Sequence, residues 1–259
     1  MSGPRPDTRR PPGFASDFAA AVAFFTRIPM SPPAAAELPL ADSCWAFPLV
    51  GAGIGAVVAF IFLAGELTRL GDWPSALLAV LAGLLLTGAL HEDGLADTAD
   101  GIFGAGDRDR RLAIMRDSRH GTFAVLALVV SVGLRAAAIA QIGEVVFAGL
   151  ALIAAHAVSR ALLPIAMWAL PPARDDGLGA GAGRPRPARI IAGSVIGLAV
   201  AAAALGPLYG VIAIGMAALA VAVAAAIARR RIGGYTGDVL GAFQQIAEVA
   251  MLLTALALR

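Results

Sequence analysis

Residues 74–101 read PSALLAVLAGLLLTGAL-HEDGLADTADG, an uncharged apolar run followed at once by a cluster of acidic side chains. The apolar part, 74–90, is about long enough to cross a bilayer. Asp93, Asp97 and Asp100 are spaced i, i+4, i+7, which places them on one face of a helix. Such close carboxylates repel each other unless a cation lies between them, and Mg²⁺ prefers oxygen ligands. The stretch therefore predicts a Mg²⁺ site with these three aspartates as ligands at a membrane edge.

The composition excludes an ordinary soluble domain. The chain is 59% hydrophobic and only 15% charged, with a mean hydropathy of +0.79, and both values are typical of an integral membrane protein. Abundant Ala and Gly favour closely packed helices, with Gly51 and Gly55 at a spacing that suits such a contact. The single cysteine, Cys44, rules out an internal disulfide.

Hydropathy predicts an all-α, polytopic membrane bundle of about seven transmembrane helices. Each apolar segment is near the length that a bilayer requires. Gly206-Pro207 separates the fifth segment from the sixth, as in a tight helical hairpin. The predicted segments are 45–65, 74–90, 122–142, 145–169, 190–205, 208–228 and 239–258.

The N-terminal part is predicted to differ from the rest. Residues 1–13 are basic and Pro-rich, which is typical of a disordered tail. In 14–28, Phe residues recur at helical spacing, which predicts an amphipathic helix lying in the membrane interface. We expect 14–259 to form one membrane-embedded catalytic domain, with active-site loops at 91–121 and 229–248.

Arginine counts predict the orientation. Sixteen arginines fall in alternate loops, whereas the opposite loops hold only Arg69 and Arg259. Because cytoplasmic loops are enriched in basic residues, the acidic motif is expected to face the cytoplasm.

A second motif, Met115-Arg-Asp-Ser-Arg-His-Gly-Thr122, precedes the third apolar segment. Arg116 and Arg119 could both bind phosphate oxygens through their guanidinium groups. Asp117 could be a further metal ligand or could orient an arginine. An ordinary basic flank of a membrane helix is the alternative interpretation.

A third constellation spans residues 229–248. Asp238 and Glu248 lie near one face of the last apolar segment. A glutamate this deep in a membrane helix is a functional candidate, although a structural hydrogen bond between helices would also explain it. Either Arg135 or Arg160 could pair with Glu248, and the sequence does not decide between them.

The glycine-rich stretch 174–183, which begins Arg-Asp-Asp-Gly-Leu-Gly, leaves two interpretations open. Its backbone N–H groups could contact phosphate. The strand–loop–helix setting of a nucleotide fold is missing, so a flexible linker is equally consistent.

Taken together, these motifs resemble the cobalamin synthase family, also called adenosylcobinamide-GDP ribazoletransferases. Gln245 departs from the family pattern, because many members carry Glu there, and this leaves Glu248 as the better candidate carboxylate. The motifs that carry the resemblance are Phe24-Phe-Thr-Arg-Ile-Pro29, Phe47-Pro-Leu-Val-Gly51, residues 91–101, Ile114-Met-Arg-Asp-Ser-Arg119, and Thr236-Gly-Asp-Val-Leu-Gly-Ala242 with Glu248.

The resemblance implies a Mg²⁺-dependent enzyme of the bacterial inner membrane. It would join adenosylcobinamide-GDP to α-ribazole, giving adenosylcobalamin and GMP, or use α-ribazole 5′-phosphate to give adenosylcobalamin 5′-phosphate. Expected partners are these substrates and the lipid bilayer, with no nucleic acid, and a homo-oligomer stays open. Expected catalytic residues are Asp93, Asp97, Asp100 and Asp117. Expected substrate-binding residues are Arg27, His91, Arg116, Ser118, Arg119, Thr236, Asp238 and Glu248.

In the mechanism that we expect from these residues, the 5′-hydroxyl of α-ribazole attacks the phosphorus nearer cobinamide, and Asp100 accepts the hydroxyl proton.

Two rival classes of membrane protein share some of these sequence features. A CDP-alcohol phosphotransferase also has an Asp-Gly opening and spaced aspartates, but Ala96 is followed here by Asp97 rather than by Arg. A transporter would distribute polar groups through the membrane depth, whereas the strongest polar clusters here lie toward one face.

Overall fold

The computed structural model describes residues 13–30, 40–104 and 106–259. Within these ranges the chain is helical, which confirms the predicted all-α fold; the tail predicted at 1–13 lies outside them except for Gly13. A short 3-10 helix, Leu40–Ala46, leads into the second helix. The α-helices are α1 (Phe14–Phe25), α2 (Phe47–Leu67), α3 (Asp72–Thr87), α4 (Leu90–Phe103), α5 (Arg108–Ile114), α6 (Thr122–Gln141), α7 (Val145–Ala169), α8 (Gly177–Gly181), α9 (Pro187–Leu205), α10 (Pro207–Ile232) and α11 (Gly237–Leu258).

The predicted number of about seven spans is confirmed. Among the described residues, six helices are long and apolar enough to cross a membrane: α2 with the 3-10 turn before it, α6, α7, α9, α10 and α11. The pair α3 and α4 passes the same test only when taken together, and the two helices are bent by 92°.

The bend between α3 and α4 separates the acidic motif from the apolar run that precedes it. Gly88 (φ 66°) and Ala89 (φ 56°) both adopt the left-handed conformation, which an alanine rarely does. The 16 residues of α3 rise only about 24 Å, which is short of a bilayer core of about 30 Å. Glu92 and Asp93 consequently lie in the first turn of α4, where the helix dipole favours negative charge.

Helix α1 is fixed to the bundle by a buried carboxylate. The Asp17 side chain accepts a hydrogen bond from the indole Nε1 of Trp45 at 2.9 Å and pairs with Arg189 at 3.1 Å. Phe14 on the same helix stays 73% exposed, as expected for a helix in the membrane interface. The helix ends before the predicted boundary at residue 28.

The contact between α2 and α7 depends on small residues. A Cβ atom added to Gly51 would lie 2.2 Å from the carbonyl oxygen of His156, and one added to Gly55 would lie 2.7 Å from the Cα of Ile153. Only glycine allows the two backbones to approach so closely. The small-residue spacing in the sequence therefore correctly indicates a helix contact.

Several basic loops meet at one end of the bundle. The Arg108 side chain donates hydrogen bonds to the carbonyl oxygens of Ile232, at 3.0 Å, and of Ala173. Arg116 pairs with Asp176 across the same end. The loops to which the arginine bias assigned a common side are thus neighbours in space.

The α2–α7 contact gives a direct test. Gly51→Ala should lower the stability of the protein by about 1–3 kcal/mol, because the new methyl group overlaps the α7 backbone. Thermal unfolding of the purified protein in detergent measures the effect.

Gly53→Ala is the matched control, since a Cβ there meets nothing within 4 Å and alanine has the higher helix propensity. Equal melting temperatures for the two variants would contradict the observed packing.

Candidate active site

A cleft of about 170 Å³ opens between α1, α4, α7, α11 and the segment around α8. Polar groups converge on it from three directions: His91 and Asp93 from α4, Asp238 from α11, and Arg174 from the segment before α8. Three separate parts of the sequence thus contribute to one concave surface.

A close contact between two glycines brings α4 and α11 together at this cleft. A Cβ atom on Gly94 would lie 2.7 Å from the Asp238 carbonyl oxygen and 3.2 Å from the Cα of Gly241. Helix α11 begins here because the Thr236 hydroxyl accepts the Val239 N–H at 3.2 Å. The same hydroxyl lies 3.1 Å from the Asp238 carboxylate and donates to it.

Asp93 of α4 and Asp238 of α11 line the cleft, and Asp97 lies beside them on α4. Asp93 is exposed and Asp97 is half-buried, one helical turn apart on α4. The carboxylates of Asp93 and Asp238 are near enough to repel that of Asp97. Arg174 partly offsets this negative charge, with its Nη2 3.4 Å from Oδ2 of Asp238. The structure therefore adds Asp238 to the two N-terminal aspartates of the motif.

Asp100, predicted as a metal ligand and proton acceptor, is hydrogen-bonded to backbone N–H groups at the start of α6. Its carboxylate accepts the Gly121 N–H at 2.5 Å and the Ala124 N–H at 3.0 Å. Both groups belong to the first turn of α6, whose N–H groups lack intrahelical partners. Asp100 is buried and caps a neighbouring helix.

Within the described ranges, no three His, Cys, Asp or Glu side chains are close enough to hold one metal ion together. Mg²⁺ usually binds one or two protein carboxylates and takes its other ligands from water and substrate phosphates. Asp93 and Asp97, one helical turn apart on α4, are the two carboxylates that could hold such an ion.

The Arg116–Arg119 segment lies at the same end but is held by other charges. The Arg116 Nη2 atom contacts both carboxylate oxygens of Asp176, at 2.5 and 2.7 Å. Arg119 binds Asp117 through two nitrogens, and this contact lowers the pKa of Asp117 to about 2. Of the two roles left open for Asp117, the structure favours the orientation of an arginine over metal binding. Ser118 is exposed in this loop.

Arg27 and His91 flank the cleft in different ways. The imidazole of His91 is buried and stacks on Phe25 with ring centroids 5.6 Å apart. The Arg27 guanidinium packs against Gly88 at the α3–α4 bend, where a Cβ atom would overlap it. The Arg27 N–H also donates to the Leu86 carbonyl at 2.8 Å, so this residue contacts the end of α3.

Glu248 lies inside the bundle and does not line the cleft, contrary to its predicted contact with substrate. Its carboxylate contacts Arg135 at 3.2 Å, His156 at 3.2 Å and the Gln244 amide at 2.6 Å. Arg160 reaches it only through His156, whose Nδ1 lies 3.2 Å from Arg160 Nη1. Of the two arginines left open by the sequence, Arg135 is the direct partner.

Two residues of the glycine-rich stretch contribute to the site although the sequence left this stretch undecided. Arg174 lines the cleft, and its Nη1 atom is buried without a hydrogen-bond partner among the described residues. Asp176 holds Arg116. In the sequence, two consecutive aspartates, Asp175 and Asp176, next to Arg174 were the available signal. Only the fold shows that Arg174 meets α11.

The fold and the cleft together define a polytopic helical membrane protein with a polar cleft at the end where its basic loops meet. The sequence model of the cobalamin-5-phosphate synthase family matches residues 17–256. The chain belongs to this family.

Curated relatives cover nearly the whole chain and are named adenosylcobinamide-GDP ribazoletransferase. The relative from Bradyrhizobium diazoefficiens is 44% identical over 93% of this chain and 94% of its own length. The relative from Mesorhizobium japonicum is 41% identical over 96% and 95%, and that from Azorhizobium caulinodans is 44% identical over 93% and 95%. No solved structure matches the chain.

The capping role of Asp100 can be tested by stability. Asp100→Ala should destabilise the protein by about 1–3 kcal/mol, because two N–H groups of α6 lose their acceptor. Asp93→Ala removes an exposed carboxylate and should stay within about 0.5 kcal/mol. Thermal unfolding of both variants without added metal decides the point, and an unchanged melting temperature for Asp100→Ala would refute the cap.

Proposed function

We propose that this protein is an adenosylcobinamide-GDP ribazoletransferase that completes the nucleotide loop of cobalamin. It joins adenosylcobinamide-GDP to α-ribazole and releases GMP, or forms adenosylcobalamin 5′-phosphate from α-ribazole 5′-phosphate. The observation that carries the proposal is the meeting of Asp93, Asp238 and Arg174 at one cleft, with Asp97 one helical turn along α4 from Asp93. Carboxylates that can share Mg²⁺ with substrate phosphates, beside an arginine that can bind a phosphate oxygen, suit a diphosphate bound to Mg²⁺.

Two further elements of the proposal concern the membrane and the metal. The arginine bias supports a cleft that opens to the cytoplasm, where nucleotide substrates are found. Asp93 and Asp97 would hold Mg²⁺, with Asp238 opposite them. The metal would neutralise charge on the diphosphate and leaving phosphate.

The protein's own residues would then contribute positioning and electrostatic stabilisation. Arg174, whose buried Nη1 has no partner among the described residues, would bind a phosphate oxygen. Arg116, paired with Asp176, would bind the departing GMP. Since Asp100 is committed to α6, the hydroxyl proton of α-ribazole passes to Asp238, which lines the cleft and is oriented by Thr236.

Carboxylate removal gives the first test. In detergent-purified protein with saturating Mg²⁺, Asp93→Asn and Asp97→Asn should each reduce GMP release by at least about 100-fold, the loss typical of one electrostatic contact at a reacting centre. Asp109→Asn, an exposed control on α5, should retain full activity.

Near-normal turnover in either active-site variant would contradict the assignment. GMP release that does not depend on Mg²⁺ would contradict the proposed metal requirement. Substrate uptake into proteoliposomes without GMP release would favour a transporter.

Asp238 is expected to differ from the metal ligands. Asp238→Asn should lower kcat by about 100-fold, in the range of general base catalysis, while the Mg²⁺ concentration for half-maximal rate stays close to that of the native protein. A large increase in that concentration would instead make Asp238 a metal ligand.

Arg174 should act mainly on substrate binding. Arg174→Gln should raise the KM for adenosylcobinamide-GDP by roughly 10- to 100-fold, because a charge-assisted hydrogen bond contributes about 1.5–3 kcal/mol. Steady-state kinetics with each substrate varied in turn measures this, and an unchanged KM would exclude a phosphate contact.

A further inference from the structure

A set of charged and amide side chains is buried in the centre of the bundle, beside the cleft but outside it. Each is less than 9% exposed, and together they belong to α4, α6, α7 and α11. We call this set the buried network: Glu92, Arg135, His156, Arg160, Gln245 and Glu248.

Arg135 connects two helices of the active site. Its Nη1 atom lies 3.0 Å from Oε1 of Glu92 on α4 and 3.2 Å from Oε1 of Glu248 on α11. The Gln245 amide donates to the same Glu92 oxygen at 3.0 Å. Glu92 is therefore held from α6 and from α11 at once.

Stability alone does not account for this arrangement. Two glutamates and two arginines balance in charge, but buried ion pairs rarely stabilise a fold more than apolar residues of the same volume would. Ionisable side chains inside a membrane protein usually serve its function. The pairing is also incomplete, because Oε2 of Glu92 and Nη2 of Arg135 have no partners in the described part of the chain.

The rotation of α4 about its own axis is the property that this network can control. Four of the eight buried residues of α4 are Gly or Ala. Rotation of the helix is opposed by polar and aromatic contacts: His91 stacks on Phe25, Asp100 accepts two N–H groups at the start of α6, and Glu92 pairs with Arg135. Glu92 and Asp93 are consecutive and therefore point about 100° apart. A fixed direction for Glu92 consequently fixes the directions of Asp93 and Asp97.

We propose that Glu92 and Arg135 are positioning residues that set the rotation of α4, holding Asp93 toward the cleft and Asp97 beside it. This role rests on the proposed function, since it concerns the aspartates that act there. Neither residue contacts the substrate, because both lie in the bundle interior.

Neutralising Glu92 and Arg135 together distinguishes a positioning role from a merely structural one. Glu92→Gln alone leaves an excess buried positive charge and should lower the melting temperature. Glu92→Gln with Arg135→Gln removes one charge of each sign, so the melting temperature should return toward that of the native protein. The kcat of the double variant should nevertheless stay about 10- to 100-fold low, since displacements near 1 Å have such effects, with both substrate KM values within about threefold of native.

Recovery of kcat together with the melting temperature in the double variant would overturn the proposal. Asp109→Asn serves again as control and should match the native protein in every measurement.

Hydrogen exchange gives a readout that does not depend on activity. Peptides covering α4 should exchange faster in the double variant than in the native protein, whereas those from α7 should not. Unchanged exchange in α4 would overturn the positioning role even if the native protein releases no GMP. Absence of GMP release from the native protein would refute the proposed function alone.

Discussion

The contact of Gly94 on α4 with Gly241 on α11 is the interaction on which the site depends. Without side chains at these two positions, the backbones approach until a Cβ on Gly94 would lie 2.7 Å from the Asp238 carbonyl. Aspartates more than 140 residues apart in the chain therefore share one cleft. Any larger residue at this crossing would separate the carboxylates that α4 and α11 contribute.

The same crossing divides the charges of α4 between two environments. Asp93 lines the cleft, where water, a cation or phosphate can balance its charge, while Glu92 faces the interior and is balanced by Arg135 at 3.0 Å. Because burying a charge is costly unless it is paired, the charges on the two sides of α4 are balanced in different ways. The bend at Gly88 and Ala89 makes this possible because it turns α4 away from the direction of α3.

Much of the fold could be predicted from the sequence because spans follow from local hydropathy. The segment predicted at 145–169 coincides with α7, and the others differ from the helices by a few residues. The bend after α3 was not predictable, because it requires a non-glycine residue, Ala89, in a left-handed conformation that no local pattern announces. The acidic motif was therefore expected at the end of a membrane helix and instead begins a helix of its own.

For the site, the sequence by itself determined the residue types and their spacing: an acidic helix face at 93–100 and arginines in the loops of one side. Tertiary structure alone decided which of these groups meet. Asp100 shares the helical face with Asp93, yet its carboxylate accepts hydrogen bonds from N–H groups at the start of α6. Glu248 lies in the interior, where it pairs with Arg135. Spacing along a helix is a local property, whereas the partner of a buried charge depends on which helices pack against it.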